Sequence, residues 1–212
     1  MKKIAMAVAS LALGISGSAF AVTAESGLYL GGNFGWSFAE APSVAQMGGA
    51  TSNVQNNYTL NAVVGYEYAL NQNFLVGAEM SYVNFGNNAY NYSELPGISV
   101  SLANSGLQFL ATGTYLNQSG WNLFLKAGAI DEDTAVDFSV DNGLLAVGNV
   151  TNEKAWIPAA AVGVGYLLND HVNLALQYER TFGDNWGSVS NPNPEPMTQN
   201  ALTLGLICRF GI

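Results

Sequence analysis

From Leu28 onward, apolar residues alternate with small or polar ones. Even positions read Leu28, Leu30, Phe34, Trp36 and Phe38, and odd positions read Tyr29, Gly31, Asn33, Gly35 and Ser37. Successive strand residues point to opposite faces, so a period of two predicts a strand with one apolar and one small or polar face. The same alternation returns over residues 58–68, 74–82, 107–115, 121–129, 156–168, 172–182 and 202–212. These make eight predicted strands of about ten residues, the length a tilted strand needs to cross a bilayer. A helix competes only over the nearly all-apolar residues 155–168. That stretch is too short to span as a helix, and Pro158, Gly163 and Gly165 oppose any stable one.

Connection lengths choose the architecture. Short links built from turn residues fall at 71–73, 117–120 and 169–170, and long ones at 39–57, 86–105, 131–153 and 183–198. Strict alternation of long and short is the form of an all-β, eight-stranded antiparallel transmembrane up-and-down barrel in the outer membrane. Short turns and both termini are then periplasmic, and the long loops are extracellular. Aromatic residues on the predicted outer face fall into two belts. Tyr66, Tyr68, Phe74, Tyr115, Trp121, Tyr166 and Phe210 lie toward the periplasmic end, and Trp36, Phe38, Tyr58, Tyr82, Trp156, Tyr178 and Phe182 toward the other. Amphipathic rings settle at bilayer interfaces, whereas a soluble lipocalin-like barrel has no reason for two belts.

Composition supports this. The 212 residues are 10% charged, far below the roughly 25% of an ordinary soluble domain. Lys2 and Lys3, the apolar stretch 4–15 and Ala19-Phe20-Ala21 have the three-part anatomy of a secretory signal over residues 1–21, leaving 22–212 as the barrel domain. Beyond residue 21 only Lys126, Lys154, Arg180 and Arg209 oppose fifteen acids, a formal charge of −11. Such a surface repels nucleic acid. The single cysteine, Cys208, excludes an internal disulfide and is read as a lipid-facing hydrophobe.

By parity Glu67, Glu79, Lys126, Glu179 and Arg209 face the lumen. An eight-stranded barrel is narrow enough for side chains to fill it, so these charges must pair. Distance from the turns predicts Lys126 with Glu79 near mid-height and Arg209 with Glu67 near the periplasmic floor. Glu179 has no evident partner and is placed near the solvated outer mouth. Arg180 and Trp156 point outward at the outer rim, where they would contact lipid and lipopolysaccharide. Lys154 also points outward, six residues further up the hairpin, too far to share a phosphate clamp with Arg180. Asp131, Glu132, Asp133 and Phe138 are expected in an acidic, solvated loop able to bind a surface ligand. Alternation over residues 134–140 extends the third hairpin above the membrane. The three acids lack calcium-loop spacing, so no metal or cofactor site is expected, the alternative being weak Ca²⁺ or Mg²⁺ bridging to lipopolysaccharide.

Two segments carry a resemblance. Gly27-Leu-Tyr-Leu-Gly-Gly-Asn-Phe-Gly-Trp36 resembles the first strand of the small outer-membrane barrels, the family of the OmpA transmembrane domain, OmpX and opacity-like surface antigens. Residues 163–179 are similar to a strand, tight turn and strand of the same family, and the alternating C-terminus resembles the signal read by the barrel-assembly machinery. The resemblance implies export with periplasmic chaperones and that machinery as partners. The expected function is an outer-membrane barrel with a plugged lumen, serving membrane integrity and adhesion or host contact through its loops. The alternative is passage of a small hydrophobic molecule past inward Leu75, Leu110, Phe124, Ile157 and Leu167, or a narrow ion channel. No enzyme is expected, because the one histidine, His171, sits at a periplasmic turn away from any nucleophile.

Overall fold

The computed structural model describes residues 23–40, 52–56, 58–92, 98–140, 151–183 and 196–211; the predicted signal segment lies outside them. Nine strands occur among these residues: β1 (Gly27–Ala39), β2 (Ser52–Asn56), β3 (Tyr58–Ala69), β4 (Phe74–Tyr92), β5 (Ile98–Leu116), β6 (Trp121–Val140), β7 (Thr151–Leu167), β8 (Val172–Thr181) and β9 (Gln199–Gly211). All pairings are antiparallel. β4 pairs with β5 and β1 with β9, so the sheet closes on itself. β2 and β3 both pair with β4, one above the other, and form a single stave. The result is a closed eight-stranded antiparallel barrel.

Three tight turns at one end share a device. In each, an asparagine carboxamide oxygen accepts two backbone N–H groups. Asn71 takes those of Asn73 and Phe74, Asn117 those of Ser119 and Trp121, and Asn169 those of His171 and Val172, at 2.8–3.0 Å. Asparagine suits this role because its short side chain mimics a backbone turn. The segment before β1 crosses beneath this end. Ala24 donates its N–H to the Gln72 carbonyl and packs on buried Leu75, Leu116 and Leu167.

The strands are unequal. β4, β5, β6 and β7 have 19, 19, 20 and 17 residues, about eight more than a bilayer crossing requires, and the excess lies opposite the short turns. Two expected loops are thereby corrected. Within 86–105, β4 runs on to Tyr92 and β5 starts at Ile98. A bulge had disguised this: Asn84 faces Ser105 but Asn87 faces Ala103, so β4 carries one extra residue. Gly86 takes a positive φ of 81° there, and its N–H is held by the Asn84 carboxamide at 2.8 Å. Val83 and Phe85 point inward before the bulge and Asn88 and Tyr90 after it, so the sequence alternation changes phase. Within 131–153, β6 continues to Val140 and β7 begins at Thr151. A strand above the bilayer needs no apolar outer face, so three acids in a row did not end it.

The barrel is inside-out relative to a water-soluble one. Its exterior exposes Leu28, Leu30, Phe34, Leu60, Val76, Met80, Leu123, Leu125, Val162, Leu204 and Leu206, while Asn33, Asn61, Glu67, Glu79, Gln108, Lys126, Asn173, Gln177 and Glu179 are buried inside. Contiguous apolar surface of that extent is suited to hydrocarbon, not water.

Candidate functional site: the lumen and the outer rim

The lumen is built in layers. At the short-turn end, Arg209 Nη2 lies 2.9 Å from Glu67 Oε2, and Thr114 donates to Glu67 Oε1 at 2.6 Å. Below this pair a cavity of about 210 Å³ opens, lined by Thr23, Glu25, Asp170 and His171 among others. At mid-height Lys126 Nζ lies 2.6 Å from Glu79 Oε2, with side chains 6% and 1% exposed. The Tyr29 hydroxyl donates to the same carboxylate oxygen at 2.9 Å. Tyr29 reaches it across Gly65, where any Cβ would collide with the phenol ring. Between the two ion pairs the open space is about 20 Å³, room for a single water.

Next to this centre runs a chain of neutral donors ending on an acid. Ser81 donates to Gln108 Oε1 at 2.9 Å, and Gln108 and Gln177 give their amide N–H groups to the two oxygens of Glu179 at 2.8 and 2.9 Å. The expectation of a solvated Glu179 is therefore corrected: it is buried at 2% exposure and satisfied by amides in place of a cation. Above lies an apolar septum of Val83, Phe85, Leu110, Ile130, Ile157, Ala159 and Ala201.

Above the septum stands Glu132. It is not in a loop; it points into the barrel from β6, opposite Gly106 and Ala155, and is fully buried. Neither carboxyl oxygen has a hydrogen-bond partner. On the outer face of the same strand Ala129 is followed by Asp131 and Asp133, so the hydrocarbon contact of β6 ends below Glu132. Burial alone pushes this carboxyl up to about 8. Alternation would have placed Glu132 inward had β6 been continued past residue 130, because the phase set by Asn122, Phe124 and Lys126 runs unbroken through Ile130, Glu132 and Thr134.

Outside, Arg180 is already engaged. It bonds Asn200 Oδ1 and Glu40 Oε1, each at 3.1 Å, and lies over the Phe182 ring. Lys154 pairs with Asp133 at 3.4 Å. Trp156 is exposed and stacks on Phe109 at 6.0 Å between centroids. Asp131 is half-buried on the outer face of β6. Phe138 faces Val100 in the β5–β6 ladder, and its side chain lies outside the described residues.

A closed barrel with an apolar belted exterior, a charged and hydrogen-bonded interior and tight turns at one end defines a transmembrane β-barrel of the outer-membrane type. The chain belongs to the outer membrane protein beta-barrel domain family, whose model matches residues 7–210. Its location is accordingly the Gram-negative outer membrane. Among solved structures, the Neisserial surface protein A (NspA) aligns over 88% of this chain and 100% of its own, at 13% identity and a TM-score of 0.51. Ail, the attachment invasion locus protein of Yersinia pestis, aligns over 89% and 100% at 14% identity and a TM-score of 0.50; it is also known in complex with the heparin analogue sucrose octasulfate. At these identities the likeness is one of fold. An uncharacterized protein of Coxiella burnetii is 37% identical over 67 residues, which span 31% of this chain and 26% of that protein's length.

Proposed function

We propose that this outer-membrane protein is a closed, non-catalytic barrel that supports membrane integrity and presents its tall β4–β7 sheet for adhesion or host contact, with the long strands outward and both termini periplasmic. The observation carrying the closed reading is the buried Lys126–Glu79 pair beneath the apolar septum. The hydrophobe-passage alternative is disfavoured by the same packing. Leu110 and Ile157 belong to the septum, and Leu75 and Leu167 to the floor cluster under Ala24. The test is conductance of the purified barrel in planar bilayers: no steady channels are expected, and channels altered by Lys126→Ala would sink the closed reading.

For the surface role, partner chemistry follows from charge. Lys126, Lys154, Arg180 and Arg209, the four cationic side chains after residue 21, each lie against a carboxylate. Both outer-face cations already stand beside carboxylates, so we assign the acidic outer face to neutral or basic partners rather than to a polyanion such as the sulfated sugar found with Ail, with lipopolysaccharide packing around the aromatic rim. The Asp133–Lys154 rung marks where the β6–β7 hairpin can be trimmed. Replacing residues 134–153 by an Asn-Gly turn is expected to leave a heat-modifiable barrel that no longer binds cells. Undiminished binding would remove the adhesion reading. We assign no catalytic role, since His171 stands in the β7–β8 turn at the opposite end.

A further inference from the structure

Two buried polar side chains stand over the septum without partners. Glu132 on β6 is fully buried and Gln199 on β9 is 1% exposed. Both carboxyl oxygens of the first, and both the oxygen and nitrogen of the second, lack any hydrogen bond. Both stand over one packed cluster. The next inward residue below Glu132 is Ile130, the next below Gln199 is Ala201, and Ile130 and Ala201 belong to the same packed cluster. Glu132 and Gln199 therefore each stand one inward position above the same floor, on strands that approach it from different sides, and they do not bond each other. Native interiors rarely leave four polar atoms orphaned, and such groups point to a missing proton, water or ion. A buried carboxylate needs a proton, a counter-charge or hydrogen bonds to be tolerable. No cationic side chain does this: Lys126 pairs with Glu79 below the septum and Lys154 with Asp133 on the outer face. Asp131 and Asp133 point outward, Glu179 is held by amides below, β5 and β7 place Gly106 and Ala155 opposite Glu132, and the buried Asn104 above Gly106 accepts from Thr134.

We propose that Glu132 and Gln199 together form a binding site for a monovalent metal cation, sodium or potassium, held by the carboxylate of the first and the amide oxygen of the second. The donors are all hard oxygens, which suits alkali and alkaline-earth ions over transition metals. One carboxylate balances one positive charge, whereas a divalent ion would leave a buried excess. When the cation is absent a proton takes its place, so the two compete. The site does not depend on whether the barrel adheres or conducts.

The experiment is unfolding of the intact, detergent-refolded barrel, read by gel mobility and tryptophan fluorescence, in sodium, potassium or N-methylglucamine chloride at matched ionic strength. At about pH 9, where the proton no longer competes, each tenfold rise in the free concentration of the ion that binds is expected to raise the folded-to-unfolded ratio about tenfold once the site's Kd is exceeded. At about pH 5 the dependence should vanish, since the carboxyl then keeps its proton. Glu132→Gln should remove the dependence seen at about pH 9 while keeping the fold. Equal stabilisation by N-methylglucamine, or pH dependence with no cation difference, would overturn the site in the wild-type protein alone, whatever the variant does. So would a variant that keeps the sodium or potassium response.

Discussion

Glu79 and Glu132 are both buried acids inside the same barrel, yet they live under different regimes. Glu79 sits within the bilayer-crossing part, where Lys126 and Tyr29 take one of its oxygens. Glu132 sits above the septum, where no side chain meets either oxygen. The lower lumen satisfies its acids with the protein's own groups, cations for Glu67 and Glu79 and amides for Glu179. The upper lumen leaves that task to a proton or an ion from outside. Between the regions packs an apolar cluster of seven residues contributed by β4, β5, β6, β7 and β9, whose Leu110 and Ala201 reach down to the rungs of Glu79 and Glu179.

The largest expected effect attacks the lower half. Lys126→Ala strands Glu79 and should cost roughly 3–5 kcal/mol in urea unfolding of the folded barrel, with much of the loss recovered when Glu79→Ala is added. If the single variant is as stable as wild type, the pair is not what neutralises the centre. Arg209→Ala should cost less, on the order of 1.5–3 kcal/mol, because the pair stands near the mouth and Glu67 keeps its bond from Thr114. A third prediction concerns pH and the upper half. The folded Glu132 carboxyl titrates near 8 against an ordinary value of 4.5, so the folded state binds more protons between them. In N-methylglucamine buffer, stability should therefore be full below about 4.5, fall progressively toward 8 and then level off, and Glu132→Gln should flatten that descent. A wild-type curve that rises over this window would mean the buried acid is already ionised and compensated. The smallest effect is expected for Lys154→Ala, whose pair with Asp133 is largely solvated; it should change stability by at most about 1 kcal/mol.

How far these halves could be read from the sequence follows the same division. In the membrane, hydrocarbon on one side and a packed lumen on the other force strict alternation, so the inward placement of Glu67, Glu79, Lys126 and Arg209 and the outward placement of Arg180 and Trp156 were legible. Above the bilayer that constraint on the outer face lapses. Asp131 and Asp133 then read as loop, although the inner phase carried Glu132 to its place without a break. The Asn84–Asn87 bulge hid the β4 extension differently, by reversing which parity points inward. Glu179 was misplaced because pattern reading seeks a cation for every acid. Gln108 and Gln177, which satisfy it, are neutral and lie far away in sequence or beside it on the same face.

The upper sheet also has a mechanical meaning. β5 and β6 are joined by an uninterrupted ladder from Ile98↔Val140 to Leu116↔Asn122, and β6 and β7 by another from Trp121↔Tyr166 to Val136↔Thr151. A tether attached at the tip and pulled away from the cell runs parallel to these strands, so it loads the rungs together in shear instead of peeling them one at a time. Tension passes down β6 into the stave anchored by Trp121 and Tyr166, whose rings lie 5.0 Å apart at the far interface. A contact made outside the cell would thus be borne by the whole height of the wall.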